Sequence, residues 1–228
     1  MKHHTRTRTG AAFAVLGLAV LTAACNGDGG GQRHTSGSEP DANYHFLPPT
    51  VKICELADLE PLKKTMKATY AQTPRDLGLG YSVEPAGLSC DAQMKPPRLR
   101  SSRNTHFTVE SGSGAIKISA VASANTAKAA DWFPKRLAFR RDIPGVSIPE
   151  PVPLKGPWDQ GAIIVTTNDS HLIYVTVRKD NLILTIDLVA PKDHGYYEKL
   201  PFNRADLKAQ TVHLMGTFYA ALMAKVGH

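Results

Sequence analysis

The chain has 228 residues, of which 27 are basic and 20 acidic, and its formal net charge is +7. Three of the basic residues lie in the N-terminal segment described next, and its removal leaves 24 basic against 20 acidic residues, or +4. This balance, without paired zinc-finger cysteines or an aromatic RNA-binding signature, argues against nucleic-acid binding. The length of the remaining chain fits one domain.

The first 24 residues have the composition of an export signal. Basic residues precede an unbroken apolar run of 11 residues, Ala11 to Leu21, and small residues follow it up to Cys25. A helix needs about 20 apolar residues to cross a bilayer, which favours a signal peptide over a retained transmembrane anchor. We therefore predict that residues 1–24 are removed and that the domain folds outside the cell.

The stretch that ends at Cys25 (LTAAC) resembles the lipobox of bacterial lipoproteins, in which cleavage precedes the cysteine and its thiol carries a diacylglycerol. Simple secretion is the alternative, because Thr22 and Ala24 also suit the ordinary signal peptidase. Residues 26–43 contain five glycines and almost no apolar side chain, so they predict a flexible coil that spans about 20–25 Å. We predict a lipid anchor at Cys25, with a tether over residues 25–43, on the outer face of the cell membrane.

The cysteine count supports this anchor, because an exported chain with three cysteines needs a role for the odd one. If Cys25 carries the lipid, Cys54 and Cys90 remain to form a disulfide. Helical spacing of apolar residues predicts a helix over 59–70, capped by Asp58. Residues 87–94 read as a strand, so the disulfide would fasten this helix to a sheet.

The middle of the domain alternates strands with one helix. Residues 105–110 and 115–122 are extended runs joined by Ser-Gly-Ser-Gly, which predicts a hairpin. Residues 126–133 follow as a helix with Asn125 as its cap, and Pro134 either ends or kinks that helix. A proline-rich loop comes next.

The last third of the chain gives the clearest pattern. Three runs rich in β-branched residues between 161 and 190 predict a three-stranded meander, and residues 204–225 predict a long amphipathic helix. The whole order is α-β-β-β-α-β-β-β-α. We therefore expect residues 44–228 to form one α+β domain, with an antiparallel sheet of about six strands and helices mainly on one face.

These features together resemble one family. They are the lipobox, the glycine-rich tether, Cys54-Glu55-Leu56 before a helix, Cys90 opening a strand, the late meander and the Ala-rich final helix. The family is that of small actinobacterial lipoproteins with a domain of unknown function. The resemblance implies a sandwich broadly like that of the photosystem accessory protein PsbP, and it implies no catalytic residues.

Aromatic residues are the candidates for contact with a ligand. His194, Tyr196 and Tyr197 lie in one loop before the final helix, and Trp132 ends the middle helix. The alternatives are a loop whose tyrosines cover the sheet edge and a tryptophan that belongs to the core. The remaining histidines lack metal-ligand spacing, and no nucleophile motif such as G-x-S-x-G is present. We therefore predict no metal, no cofactor and no catalytic residue.

Basic side chains form two clusters in the sequence. If the clusters share one face, each side chain close to an anionic membrane or envelope polymer would contribute about 1 kcal/mol of attraction. A solvated face without a partner is the alternative. The residues are Lys95, Arg98, Arg100 and Arg103 in the first cluster, and Lys135, Arg136, Arg140 and Arg141 in the second.

The sequence thus favours a non-enzymatic lipoprotein of the cell envelope that binds a small or lipid-like ligand, or a protein partner, beside the membrane. One alternative is a sensor or regulatory module that acts through protein contacts. Another is a hydrolase whose catalytic residues form no recognisable motif. An enclosed apolar cavity would favour a ligand, whereas a large exposed apolar patch would favour a protein partner.

Overall fold

The computed structural model describes residues 46–79, 87–95, 99–100, 108–109, 114–141, 148–166, 171–190 and 202–226. The signal peptide and tether predicted for residues 1–43 lie outside the described residues. Within the described ranges, no helix is both long enough and apolar enough to cross a membrane. The described part of the chain forms an α+β fold.

The described chain contains both short and long elements. The helices are α1 (Ile53–Leu56), α2 (Glu60–Thr65), α3 (Thr126–Arg141) and α4 (Arg204–Met223). The first five strands are β1 (Thr69–Tyr70), β2 (Arg75–Leu79), β3 (Gly87–Lys95), β4 (Leu99–Arg100) and β5 (Thr108–Val109). The later strands are β6 (Gly114–Ala122), β7 (Val152–Pro153), β8 (Gln160–Val165), β9 (His171–Lys179) and β10 (Leu182–Ala190).

Eight of these strands form one antiparallel sheet in the order β1-β3-β6-β10-β9-β8-β7, with β2 also paired to β3. Because β6 pairs along the other side of β3, β1 and β2 occupy successive stretches of the same edge. The sequence predicts about six strands. The difference arises because β1 and β7 have only two residues each, too few to show alternation, and because β2 contains Asp76 and Gly78, which are uncommon in strands.

Side chains alternate between the two faces of the sheet, and one face carries the main hydrophobic core. From β10, Leu182, Leu184, Ile186 and Leu188 belong to this core, and each is at most 1% exposed. Helices α1, α2 and α4 supply the other side of the core. The buried side chains of α3 lie outside this cluster although α3 contacts β9 and β10, so α3 packs on the opposite face.

The N-terminal helices differ from the predicted helix over 59–70. The Asp58 carboxylate does accept a hydrogen bond from the Glu60 amide, at 3.1 Å, but the helix ends at Thr65. Lys67 adopts a positive φ of 49°, which turns the chain out of the helix. Residues 69–70 then form β1 against the end of β3, so strand pairing replaces the last predicted helical turn.

The predicted hairpin of residues 105–110 and 115–122 is not the pairing found in the described residues. Strand β6 pairs with β3 and β10, and β5 pairs with β4 in a separate two-stranded sheet. The longer strands on either side of β6 offer it nine-residue partners, whereas β5 has two described residues. The Ser-Gly-Ser-Gly segment lies largely outside the described residues.

Helix α3 continues well beyond its predicted end. The Asn125 side chain accepts a hydrogen bond from the Lys128 amide at 2.9 Å, which confirms the predicted cap. Pro134 lies inside the helix, which extends to Arg141. Proline lacks the amide needed for one helical hydrogen bond, but Pro134 is exposed, so its ring meets no packed neighbour on the sheet side.

The predicted meander and final helix are confirmed. Strands β8, β9 and β10 pair in sequence order. The amide of Asp206 donates to the Asn203 side chain at 2.8 Å and thereby caps α4, which ends at Met223, two residues before the predicted end. Its buried stripe includes Leu207, Leu214, Phe218 and Leu222, and it packs on the core face of the sheet.

Candidate functional site

The face of the sheet that α3 partly covers carries a row of hydroxyl groups. Ser89 on β3 is opposite Ser119 on β6, which is opposite Thr185 on β10, which is opposite Thr176 on β9. All four residues are buried. The hydroxyls of Ser119 and Thr185 are 2.5 Å apart and form a hydrogen bond. The row satisfies its own hydrogen-bonding groups in part, as buried polar side chains require.

A charged row lies one step further along the same face. The row consists of successive register partners on neighbouring strands. The charged partners are Arg75 on β2, Asp91 on β3, Lys117 on β6 and Asp187 on β10, and the row ends at Tyr174 on β9. Opposite charges therefore face each other across neighbouring strands, which favours the pairing. The Lys117 Nζ and Asp91 Oδ1 atoms are 4.0 Å apart, and both side chains are about two-fifths exposed, at 43% and 39%. Such an exposed pair adds little stability.

The end of this face away from the hydroxyl row is accessible. Gln93 on β3, Ala115 on β6 and Val189 on β10 are register partners, and all three are exposed. We name the charged row together with these three residues the polar face. Among the described helices, α3 contacts β9 and β10, so the parts of the polar face on β2, β3 and β6 lie beside α3. The arrangement provides alternating charges and an exposed row on a rigid strand surface.

The proline-rich segment is built around Trp158. Its indole N–H donates to the Leu154 carbonyl at 2.9 Å, and its ring meets the Tyr219 ring of α4 edge to face with centroids 5.8 Å apart. A Cβ placed on Gly161 would lie 2.3 Å from the indole nitrogen, and one on Gly156 would lie 2.2 Å from the indole ring. The two glycines therefore provide the space that the indole fills.

An ion cluster follows Trp158 in sequence. The Asp159 carboxylate accepts hydrogen bonds from Lys179 Nζ at 3.1 Å and from the Asp180 amide at 2.7 Å, at the turn between β9 and β10. Burial acts to raise the pKa of Asp159, but the Asp180 amide and the Lys179 charge outweigh it and lower that pKa. The hydrogen bond to Asp159 raises the pKa of Lys179. Because these groups satisfy one another at a turn, the cluster fastens the proline-rich segment to the meander.

The structure confirms one of the predicted site assignments directly. Cys54 in α1 and Cys90 in β3 form a disulfide with a Cα–Cα distance of 5.0 Å. The Asp76 carboxylate on the adjoining strand accepts a hydrogen bond from the Cys54 amide at 2.9 Å. The bridge fastens α1, rather than the longer predicted helix, to the sheet.

Three members of the basic clusters, Lys95, Lys135 and Arg136, lie on the side of the sheet occupied by α3. Lys95 ends β3 and alternation places it on the same face as Asp91. On α3, the Lys135 ammonium pairs with Asp131 at 2.5 Å, and the Arg136 guanidinium lies 5.5 Å from the centroid of the half-buried Trp132 ring. This contact is a cation–π interaction within the helix.

The structure describes only the backbone of Arg100 in β4 and of Arg140 and Arg141 in α3. The remaining candidates lie outside the described residues: Cys25, Arg98, Arg103, His194, Tyr196 and Tyr197. No group of three or more metal-ligating side chains occurs within the part of the chain that the structure describes.

Sequence reasoning missed the polar face, although the sequence carries a signal for it. Polar residues recur at every second position, as Ser89 and Asp91 on β3 and as Lys117 and Ser119 on β6. This period places them on one face of adjacent strands. The strand pairing needed to align them in rows is not readable from one sequence. No such signal exists for Trp158, because it packs against two glycines and against a helix that is distant in sequence.

No protein-family model, curated protein or solved structure matched this chain. The resemblance to the small actinobacterial lipoproteins therefore stays a prediction from the sequence.

Proposed function

We propose that this chain is an exported, lipid-anchored and non-enzymatic accessory protein of the cell envelope that holds a protein partner on its polar face. The observation that carries the proposal is the row of alternating charges across β2, β3, β6 and β10. A sheet face needed only for packing against a helix is usually apolar. Here it carries charges of both signs and an exposed neighbouring row instead.

The chemistry of the polar face favours a partner with charges of both signs. The side chains of Lys117 and Asp91 are 43% and 39% exposed. Both can therefore exchange their mutual contact for contacts with a partner. Asp91 Oδ1 is buried and accepts no hydrogen bond within the described residues, so the contact with Lys117 leaves this carboxylate incompletely satisfied. Charge pairs of this kind mainly determine which partner is accepted.

The Cys54–Cys90 disulfide supports the exported location, because structural disulfides persist in oxidising compartments. The lipid anchor at Cys25 and the tether over residues 25–43 rest on the sequence. Membership of the small actinobacterial lipoproteins, with a sandwich broadly like PsbP and helices mainly on one face, is part of the same proposal.

Native mass spectrometry of the protein extracted from the membranes of its own organism tests the proposal. We expect a complex with a retained protein partner for the wild type. Ala115→Arg introduces a bulky charge at an exposed position of the polar face and should abolish the complex. Ala205→Arg makes the same change at an exposed position of α4, on the other side of the sheet, and should leave the complex intact.

Two outcomes would overturn the proposal. If Ala115→Arg retains the partner as well as the wild type does, the polar face is not the binding surface. If the wild type carries only a small organic molecule and no protein, the function is ligand binding instead. Circular dichroism of both variants checks that they fold equally well.

A further inference from the structure

A cleft of about 250 Å³ lies where the described chain begins and α4 ends. Two lysines line it: Lys52 directly before α1, and Lys225 two residues after the end of α4. Within the described residues, neither ammonium group forms an ion pair or hydrogen bond. Two lysines against one carboxylate, Glu55, leave the lining of this cleft with a net positive charge, which suits an anion.

The rest of the cleft is amphipathic. The half-buried side chains of Val51 and Leu56 pack against the core and give the cleft an apolar side. Thr50 and Glu55 add a hydroxyl and a carboxylate, which accept hydrogen bonds from hydroxyl groups. Drug-sized ligands usually occupy about 300–1,000 Å³, so a cleft of this size suits a smaller polar group.

We propose that this cleft binds the headgroup of an anionic phospholipid in the bilayer that carries the protein. The lysines would contact the phosphate, and the neighbouring acceptors would contact headgroup hydroxyls. This inference rests on the proposed function, because a lipid anchor at Cys25 brings the membrane to the end of the domain that the tether enters. The basic clusters predicted from the sequence do not include these two lysines.

The tether makes even a weak headgroup site effective. Pro48, the first residue that lines the cleft, is 23 residues from Cys25. A coil of the length predicted from the sequence would give an effective concentration of the order of millimolar, so a headgroup affinity in that range would be sufficient. Phe46, which is 52% exposed, lies two residues before the cleft and can place its aromatic ring at the membrane interface.

Amine labelling of the lipidated protein provides the first test. The protein is reconstituted into phosphatidylcholine vesicles with or without phosphatidylglycerol, treated with an acetylating reagent and analysed by peptide mass spectrometry. We expect phosphatidylglycerol to slow the labelling of Lys52 and Lys225 by about fivefold, and to leave Lys128 and Lys208 unchanged. Equal protection of all four lysines, or protection of none, would overturn the proposal.

Variants provide the second test. The mature chain, residues 25–228 with Cys25→Ser, is mixed with vesicles that contain phosphatidylglycerol, and the bound fraction is measured by sedimentation. Lys52→Gln/Lys225→Gln should bind about 30-fold more weakly, since each lysine near an anionic surface contributes about fivefold. The matched control Lys128→Gln/Lys208→Gln removes the same charge from exposed sites; Lys208 is about 25 Å along α4 from Lys225. If both double variants lose the same amount of vesicle binding, the loss comes from net charge alone, and the cleft is not a specific site.

Further measurements distinguish a bilayer lipid from free phosphate, and the lipid-anchor proposal from the cleft proposal. If inorganic phosphate protects the two lysines as well as the vesicles do, the cleft does not select a bilayer lipid and the proposal fails. Vesicle binding by the unlipidated chain does not depend on the Cys25 modification. An unmodified Cys25 in the native protein would therefore contradict the anchor, whereas unchanged binding by Lys52→Gln/Lys225→Gln would contradict the cleft alone.

Discussion

Removal of the Cys54–Cys90 disulfide should lower the free energy of unfolding by about 4 kcal/mol, because the bridge constrains the unfolded chain. The cysteines are 36 residues apart in sequence, and the chain-entropy relation assigns a loop of this length about 4 kcal/mol at 25 °C. The bridge also holds α1, a helix of only four residues, against β3. A helix this short does not persist in isolation.

Urea unfolding of the wild type and of Cys54→Ala/Cys90→Ala measures this effect by circular dichroism and tryptophan fluorescence. The double variant should also show a steeper dependence on urea, because its unfolded state exposes more surface. Reductant should lower the free energy of unfolding of the wild type toward that of the double variant. It should leave the double variant unchanged. A difference below about 1 kcal/mol with an unchanged slope would refute the claim that the bridge constrains a long unfolded loop.

Two further changes test the packing of the proline-rich segment. Gly161→Ala places a Cβ 2.3 Å from the Trp158 indole nitrogen, so it should cost about 1–3 kcal/mol in urea unfolding and shift the tryptophan emission. Gly78→Ala, where a Cβ meets nothing within 4 Å, is the matched control and should stay within about 0.5 kcal/mol of the wild type. Asp159→Asn should destabilise the protein at about pH 7 but much less at about pH 2. The pKa of Asp159 is lower in the folded protein than in the unfolded chain, so its carboxylate contributes stability above the unfolded pKa. This contribution is lost as the pH falls through the folded pKa. Equal destabilisation at both pH values in thermal unfolding would contradict the assigned role of the carboxylate.

The longest and most regular elements of the fold were predictable from the sequence. The meander consists of runs of six to nine residues rich in β-branched side chains, and α4 keeps helical spacing over 20 residues, so local pattern and tertiary packing agree. The Cys54–Cys90 pair was predictable because only three cysteines occur and Cys25 ends the lipobox-like stretch.

The remaining elements depend on contacts that are distant in sequence. Nothing near Lys67 predicts that the chain leaves the helix there, because the reason is the pairing of Thr69 with Lys95 at the edge of β3. A proline inside a helical pattern normally ends the helix. Pro134 is exposed, and α3 continues beyond it to Arg141. The polar face likewise requires the register of β3 against β6, which joins segments separated by a long connection.

The most direct test of the proposed function is the mass of the N-terminal peptide of the protein extracted from its own membranes. We expect a peptide that begins at Cys25 and carries a diacylglycerol, with the tether sequence following it. An N-terminal peptide that begins at an unmodified Cys25 or at Asn26 would contradict the lipid anchor and, with it, the proposed placement of the domain beside the membrane.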